Sequence, residues 1–159
     1  MTEVWELPTG TLMYFGNNIL TIDFTKWAEA YAIPNQEATT IANKLVNEML
    51  LRFSPPEQLH SDQGRQFEST LIAEICKCLG IHKTQTTPYH PQSDGLVERF
   101  NRTLLNMLAT AMAGHPGTWE DHTQKVLLAY NTSTQSTTGF SPFFLMFSRE
   151  ARLPPLQPR

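Results

Sequence analysis

The sequence predicts an α/β domain, a mixed β-sheet flanked by helices. Three observations lead there. Two β-prone runs near the front lie close enough to pair as antiparallel neighbours. Two later β-prone runs each stand between helix-length apolar patterns, and the second half of the chain is dominated by helical periodicity. The 159 residues, 40% apolar and 10% aromatic, are enough for one buried core.

The elements follow in order. Residues 1–17 read as irregular, with LPTG and FGNN as turn signals. Asn18–Phe24 reads as a strand and Lys26–Ile33 as its antiparallel partner, closed by Pro34. Asn35 is placed to cap a helix reaching about Phe53, with Ile41, Leu45 and Met49 on one face. Pro55-Pro56 ends it. Gln58–Ser61 is a short strand running into Asp62-Gln63-Gly64. A helix over Glu68–Leu79 would bury Leu71, Ile72, Ile75 and Leu79, with Gly80 just past its end.

Ile81–Thr87 is polar and β-prone, an expected edge strand, and Pro88–Gly95 is rich in turn formers. Ser93 or Asp94 then caps a long helix to about Ala113, with Val97, Phe100, Leu104, Leu108 and Ala111 as its apolar stripe. Thr118 and Asp121 resemble a capping box opening a helix to about Asn131. GFSPFFLMF reads as a short apolar helix, and residues 156–159 as a tail. A lone hairpin needs a neighbouring strand. The domain at 18–155 is therefore expected to have its first strand missing or degenerate.

Bulk properties exclude several functions. A net charge of −3 rules out a uniformly basic nucleic-acid glove, so such contacts must be local. Cys76 and Cys78, at i and i+2 of a helix, read as free thiols of a reducing compartment. His60, His82, His115 and His122 form no zinc pattern with them. The acidic start lacks a signal-peptide apolar run, and no stretch approaches the length of a membrane span.

Asp62 and Glu98 are the residues that suggest chemistry. Counting from 63 through 97, 35 residues separate them. One follows a strand, and the other sits in the first turns of a helix, where the dipole favours its ionised form. Such a pair can converge on Mg²⁺ or Mn²⁺, hard ions that prefer carboxylate oxygens. Phosphodiester chemistry with two ions about 3.5–4 Å apart needs roughly a third carboxylate as well. Taken singly, Asp62 reads rather as a turn residue and Glu98 as an i,i+4 ion-pair partner of Arg102; the flanking residues overturn that reading.

Four segments carry a family resemblance: FTKWAEAY at 24–31, HSDQGRQFES at 60–69, TTPYHPQSDGLVERFNRTL at 86–104 and TTGFSPFFLMFSREARLP at 137–154. Together they resemble the catalytic core of retroelement integrases, most closely the gypsy-type retrotransposon group. The resemblance implies an RNase H-like fold and DNA integration by metal-dependent phosphodiester cleavage and strand transfer. It also implies Asp62 and Glu98 as catalytic metal ligands, a mobile active-site loop at 88–95 and a nuclear location. It covers the core alone, without the zinc-binding and DNA-binding domains that accompany such cores.

In that family the first catalytic Asp lies on the first strand, ahead of a GPLP-like turn. This chain reads MTEVWELPTGT there, as if truncated. Ungapped alignment sets Thr2 at the place of the Asp, and a one-residue deletion sets Glu3 there. Glu3 is a weak replacement, one methylene too long and at a poorly anchored position. Asp23 matches the second strand instead.

The resemblance also implies DNA contact by Arg65, Lys83, Tyr89, His90, Gln92, Ser93, Arg99 and Arg102. The cations would meet phosphates, and Tyr89 a base. The bland alternative is a solvated helix face beside an ordinary loop. Three functions are weighed: an integration enzyme, a non-catalytic nucleic-acid- or protein-binding module that self-associates as a homodimer through its long helices, and a nuclease that only hydrolyses. None needs a membrane or a small organic cofactor.

Overall fold

The computed structural model describes residues 12–16, 19–22, 25–61, 63–85 and 91–153. Side chains are described from Thr25 onwards, except those of 91–98 and Asn101. Five strands form one sheet: β1 (Leu12–Gly16), β2 (Ile19–Ile22), β3 (Ala28–Ala30), β4 (Gln58–Ser61) and β5 (His82–Gln85), in the order β3-β2-β1-β4-β5. β1 pairs antiparallel with β2, and β2 with β3. β1 pairs parallel with β4, and β4 with β5.

The mixed sheet is the expected one, with one correction at the front. Residues 12–16, read as irregular, form β1, the central strand. The neighbour that the hairpin required is therefore present, and it is degenerate rather than missing: LMYFG contains no acidic residue.

Helices cover both faces. On one, α1 (Ala38–Lys44), a π-helical segment (Leu45–Leu50), α2 (Leu51–Phe53) and α3 (Thr70–Cys78) pack over Leu59. Ile41, Leu45 and Met49, the predicted stripe, are all buried there. Asn35 is not the N-cap of α1; Glu37 is. The Asn35 amide oxygen instead accepts from the Glu37 N–H and the Thr40 hydroxyl, bracing the turn before the helix.

The run is not uniform α-helix. Within the π segment the Glu48 carbonyl accepts from the Tyr31 hydroxyl and the Arg52 guanidinium. α3 buries Ile72 and Cys76, whereas Leu71 and Leu79 are exposed, against expectation. Leu71 stands one position off the Ile72–Cys76 stripe, and Leu79 is the residue that ends the helix. Gly80, at φ 66°, ends it: Gly80 N–H bonds the Lys77 carbonyl and Ile81 N–H the Cys76 carbonyl.

On the other face, α4 (Pro91–Met112) and α5 (Trp119–Thr132) pack Phe100, Leu104, Leu108, Val126 and Leu127 against Ala28 and Ala30. α4 begins at Pro91, not after Ser93 or Asp94. Proline suits a first helical position because its missing N–H has no partner there anyway. Residues 91–95, read as loop, are thus helical. α6 (Pro142–Phe147) closes the domain against Trp27 through Phe143 and Phe147.

β3 is an edge strand, and its outer side is closed by one residue of α5. Ala28 N–H donates to Asn131 Oδ1 at 3.0 Å, and Asn131 Nδ2 donates to the Ala28 carbonyl at 2.9 Å.

The Thr118–Asp121 capping box opens α5 as predicted. The Thr118 N–H and then its hydroxyl hold the Asp121 carboxyl below its usual pKa. A depressed carboxyl stabilises the fold above its unfolded pKa and loses that contribution as pH falls through its folded one. Asp121→Ala should therefore lower the melting temperature at pH 7. The gap to the parent should narrow as pH drops below about 4, where an ordinary Asp protonates. Thermal melts across that range check it.

Candidate functional site

The sheet order determines where a site can form. β1 has an antiparallel neighbour on one side and a parallel neighbour on the other. Open α/β sheets bind ligands beyond the carboxyl ends of their strands at such a switch point. Here those ends are Gly16 of β1, Ser61 of β4 and Gln85 of β5, with Phe15 level with Ser61 and Ser61 level with Gln85. Asp62 is the next residue in the chain after Ser61.

The far side of Asp62 is anchored. A turn from Gly64 to Phe67, with Phe67 N–H bonded to the Gly64 carbonyl at 2.9 Å, drops Phe67 into the core. This turn leaves Arg65 exposed. Next to it, β4 and β5 are tied by side chains. His60 Nδ1 lies 2.8 Å from the Thr84 hydroxyl, and Gln58 Nε2 donates to the same hydroxyl at 3.0 Å.

Lys83 meets an acid that sequence reasoning passed over. Its ammonium lies 2.8 Å from Glu68 Oε1, just before α3. With its amide nitrogen turned to Glu68, Gln85 donates to both carboxylate oxygens, at 2.9 and 3.1 Å. The Lys83 charge is therefore already matched within the chain. Glu68 was recognisable as the one acid besides Asp62 in HSDQGRQFES, but nothing local pairs it with a strand fourteen or more residues on.

On α4, Arg99 and Arg102 are exposed, and the Thr103 hydroxyl donates to the Arg99 carbonyl. Gln92, Ser93 and Glu98 lie on the helical backbone of α4, outside the described side chains. Glu3, Asp23, Asp62, Tyr89 and His90 lie outside the described residues. The structure sets the ends of β1, β4 and β5 level with one another, with Arg65 in the turn that follows β4, whereas Lys83 lies mid-strand, level with Leu59.

A second concavity, of about 570 Å³, opens between β3, the π segment and α5. Glu29 is its hub, accepting from Trp27 Nε1 (2.9 Å), the Tyr31 hydroxyl (3.0 Å) and both Arg52 terminal nitrogens (3.0 and 3.2 Å). Burial first, and then the Glu29 carboxylate, push the Tyr31 hydroxyl pKa up, so it remains a donor. No sequence signal pointed to this cluster beyond the alternation in WAEAY.

The donor set bears on the expected ions. Among the described residues, no three His, Cys, Asp or Glu side chains group as metal ligands. β1, the strand beside β4 at the switch point, offers no carboxylate. The carboxylates expected to hold Mg²⁺ or Mn²⁺, Asp62, Glu98 and Glu3, lie outside the described side chains. The cysteines fit the plain reading: burial raises the Cys76 thiol pKa, and both thiols are free. No described helix is long and apolar enough to cross a membrane.

The family model for the integrase core domain matches residues 3–91. Gypsy retrotransposon integrase-like protein 1 of Pongo abelii is 29% identical over 159 residues, covering 94% of this chain and 30% of that protein. The catalytic core domain of BIV integrase superposes with a TM-score of 0.71 at 30% identity, covering 87% of this chain and 94% of that one. The HTLV-2 integrase catalytic core, solved in complex with magnesium in a trimeric form, shares the fold at a TM-score of 0.67 and 16% identity, over 89% and 99% of the two chains. The chain spans about a tenth of the length of the Pol polyproteins it also matches. The family model, the relatives and the superposition agree: this chain belongs to the integrase core domain family of retroviruses and retrotransposons.

Proposed function

We propose that this chain is a retroelement integrase core that engages DNA but carries out little or no strand transfer. The observation that carries the reading is β1: the strand parallel to β4 at the switch point has the sequence LMYFG and no acid. Asp62 and Glu98 then remain as two ligands for Mg²⁺ or Mn²⁺, enough for weak binding of one ion. Glu3, and behind it Asp23, are the weak candidates for the first carboxylate.

DNA contact is assigned to the exposed Arg65, Arg99 and Arg102, joined by Gln92 and Ser93 in the first turn of α4 and by Tyr89 and His90, which precede it in the sequence. Lys83 contributes less, being paired with Glu68. With so few cations, binding is weak and falls steeply with salt. The protein works on nuclear DNA as a homodimer, its partner face built on the long helices; exposed Leu105 on α4 and Leu128 on α5 support that choice.

The test is an end-joining assay with the purified protein and a duplex bearing a retroelement end, in Mg²⁺ and in Mn²⁺. No joined product is expected, while fluorescence anisotropy detects salt-sensitive duplex binding that Arg99→Ala/Arg102→Ala weakens several-fold. Mn²⁺-dependent joining abolished by Asp62→Ala would defeat the inactive reading. Binding untouched by the double substitution would defeat the assigned DNA surface.

A further inference from the structure

We infer that Glu68, Lys83 and Gln85 form a latch that positions the entry to α4, and that Lys83 acts through this latch rather than by touching DNA. The effect of the latch on binding rests on the proposed DNA contact by α4; the latch itself does not.

The register separates Lys83 from α4. Side chains alternate between the two faces of a strand, so cross-strand partners share a face. Lys83 is level with Leu59, and Gln85 with Ser61. Leu59 packs among Ile41, Met49 and Ile72, under α1 and α3. α4 and α5 cover the opposite face, over Ala28 and Ala30. Lys83 therefore stands on the side of the sheet away from the helix that carries Arg99 and Arg102.

The two sides of the latch differ in firmness. Glu68 stands between Phe67, which is buried, and Ser69, whose hydroxyl caps α3 by accepting from the Ile72 N–H. β5 pairs with β4 alone among the described residues. Ile81, buried, holds its start, whereas Gln85, its last residue, is exposed. A strand paired on one side frays most readily from such an end. The Glu68 carboxylate closes it: Oε1 lies 2.8 Å from the Lys83 ammonium, and both oxygens accept from the Gln85 amide.

Five residues, 86–90, separate Gln85 from Pro91, the first residue of α4. A connection that short spans at most about 18 Å. Among the described side chains of α4, the first buried one is Phe100. The turns before it, which include Gln92 and Ser93, run between the end of β5 and that anchor. Freeing β5 lets them fray, and DNA binding must then supply their ordering. With its side chains 17% and 43% exposed, the ion pair adds little to global stability, so its loss acts locally.

The experiment compares the full-length parent with Lys83→Met, Glu68→Ala and the exchanged pair Glu68→Lys/Lys83→Glu. Duplex affinity is measured by anisotropy over a series of salt concentrations, and amide hydrogen exchange on the free proteins. Each single substitution should weaken binding by about threefold, the scale of a surface ion pair, with the salt dependence unchanged. Exchange should quicken at 82–85 and at 92–95 in both, with melting temperatures close to the parent's. The exchanged pair should restore most of the affinity and the protection. A Lys83 that touches phosphate gives opposite signs: Lys83→Met weakens binding and reduces the salt slope by about one, while Glu68→Ala frees the cation and strengthens binding. That result would overturn the inference, as would exchange that quickens at 82–85 alone. A parent that binds no duplex would overturn the DNA reading instead, and exchange at 92–95 would then decide the latch.

Discussion

Asn131→Ala should destabilise the folded protein by about 2–4 kcal/mol, because it strands one buried donor and one buried acceptor of Ala28 at once. Asn131 is 4% exposed and Ala28 1% exposed, so water cannot replace the amide without opening α5 from the sheet. Both bonds have good length, 3.0 and 2.9 Å, and both are made to the backbone of the same residue. The side chain acts as a one-residue strand on the open side of β3. Asn131→Asp should be nearly as harmful, since a carboxylate can accept from the Ala28 N–H but cannot donate to the Ala28 carbonyl. Urea unfolding of the three proteins checks the ranking. A change under about 0.5 kcal/mol, the usual range for a surface substitution, would show that the clasp contributes nothing.

The second large effect is expected at Met49. This side chain is 0% exposed, inside the π segment, among Leu45, Leu59 and Ile72. Met49→Ala should cost about 2–5 kcal/mol, the sum of lost transfer energy and of a cavity that the surrounding side chains cannot fill. Leu51, two residues on and 74% exposed, supplies the contrast. Leu51→Ala should stay within about 0.5 kcal/mol. The same denaturation experiment reads both, and equal losses would mean that the helical face has been misassigned.

These two residues also show what the sequence made legible. The Met49 stripe was readable because Ile41, Leu45 and Met49 repeat at i+4, and a π turn within the run did not remove any of them from the core. β4 was readable to the residue because Pro55-Pro56 and the Asp62-Gln63-Gly64 turn bracket it. The Schellman end at Gly80 and the capping box at Thr118 were readable because each depends on local chemistry.

β1 was not readable. LMYFG has no polar alternation and is followed by turn formers, and what makes it a strand is the company of β2 and β4, one of them more than forty residues away. The start of α4 was misjudged for a related reason: Ser93 and Asp94 are good caps in isolation, but Pro91 is already an acceptable first residue. Leu71 and Leu79 were assigned to the core with Ile72 and Ile75, although the buried stripe of α3 is Ile72 and Cys76, with Leu71 beside it and Leu79 at the helix end.

The candidate site divides along the same line. Asp62 and Glu98 stood out through their chemical type, their spacing and the motifs around them. The Lys83–Glu68 pair did not, because it depends on β5 lying beside the entrance to α3. A charge that looks available in sequence is satisfied once the sheet is formed.

The clasp between Ala28 and Asn131 joins residues 103 positions apart. On a ribosome, the early hairpin is made long before the helix that seals it. Until that helix emerges, the rim of the nascent sheet stays open to any extended segment that can match its backbone, including one from a neighbouring copy. Slow translation through α5 should therefore favour aggregation, and a chain stopped short of residue 131 should need a chaperone to remain in solution.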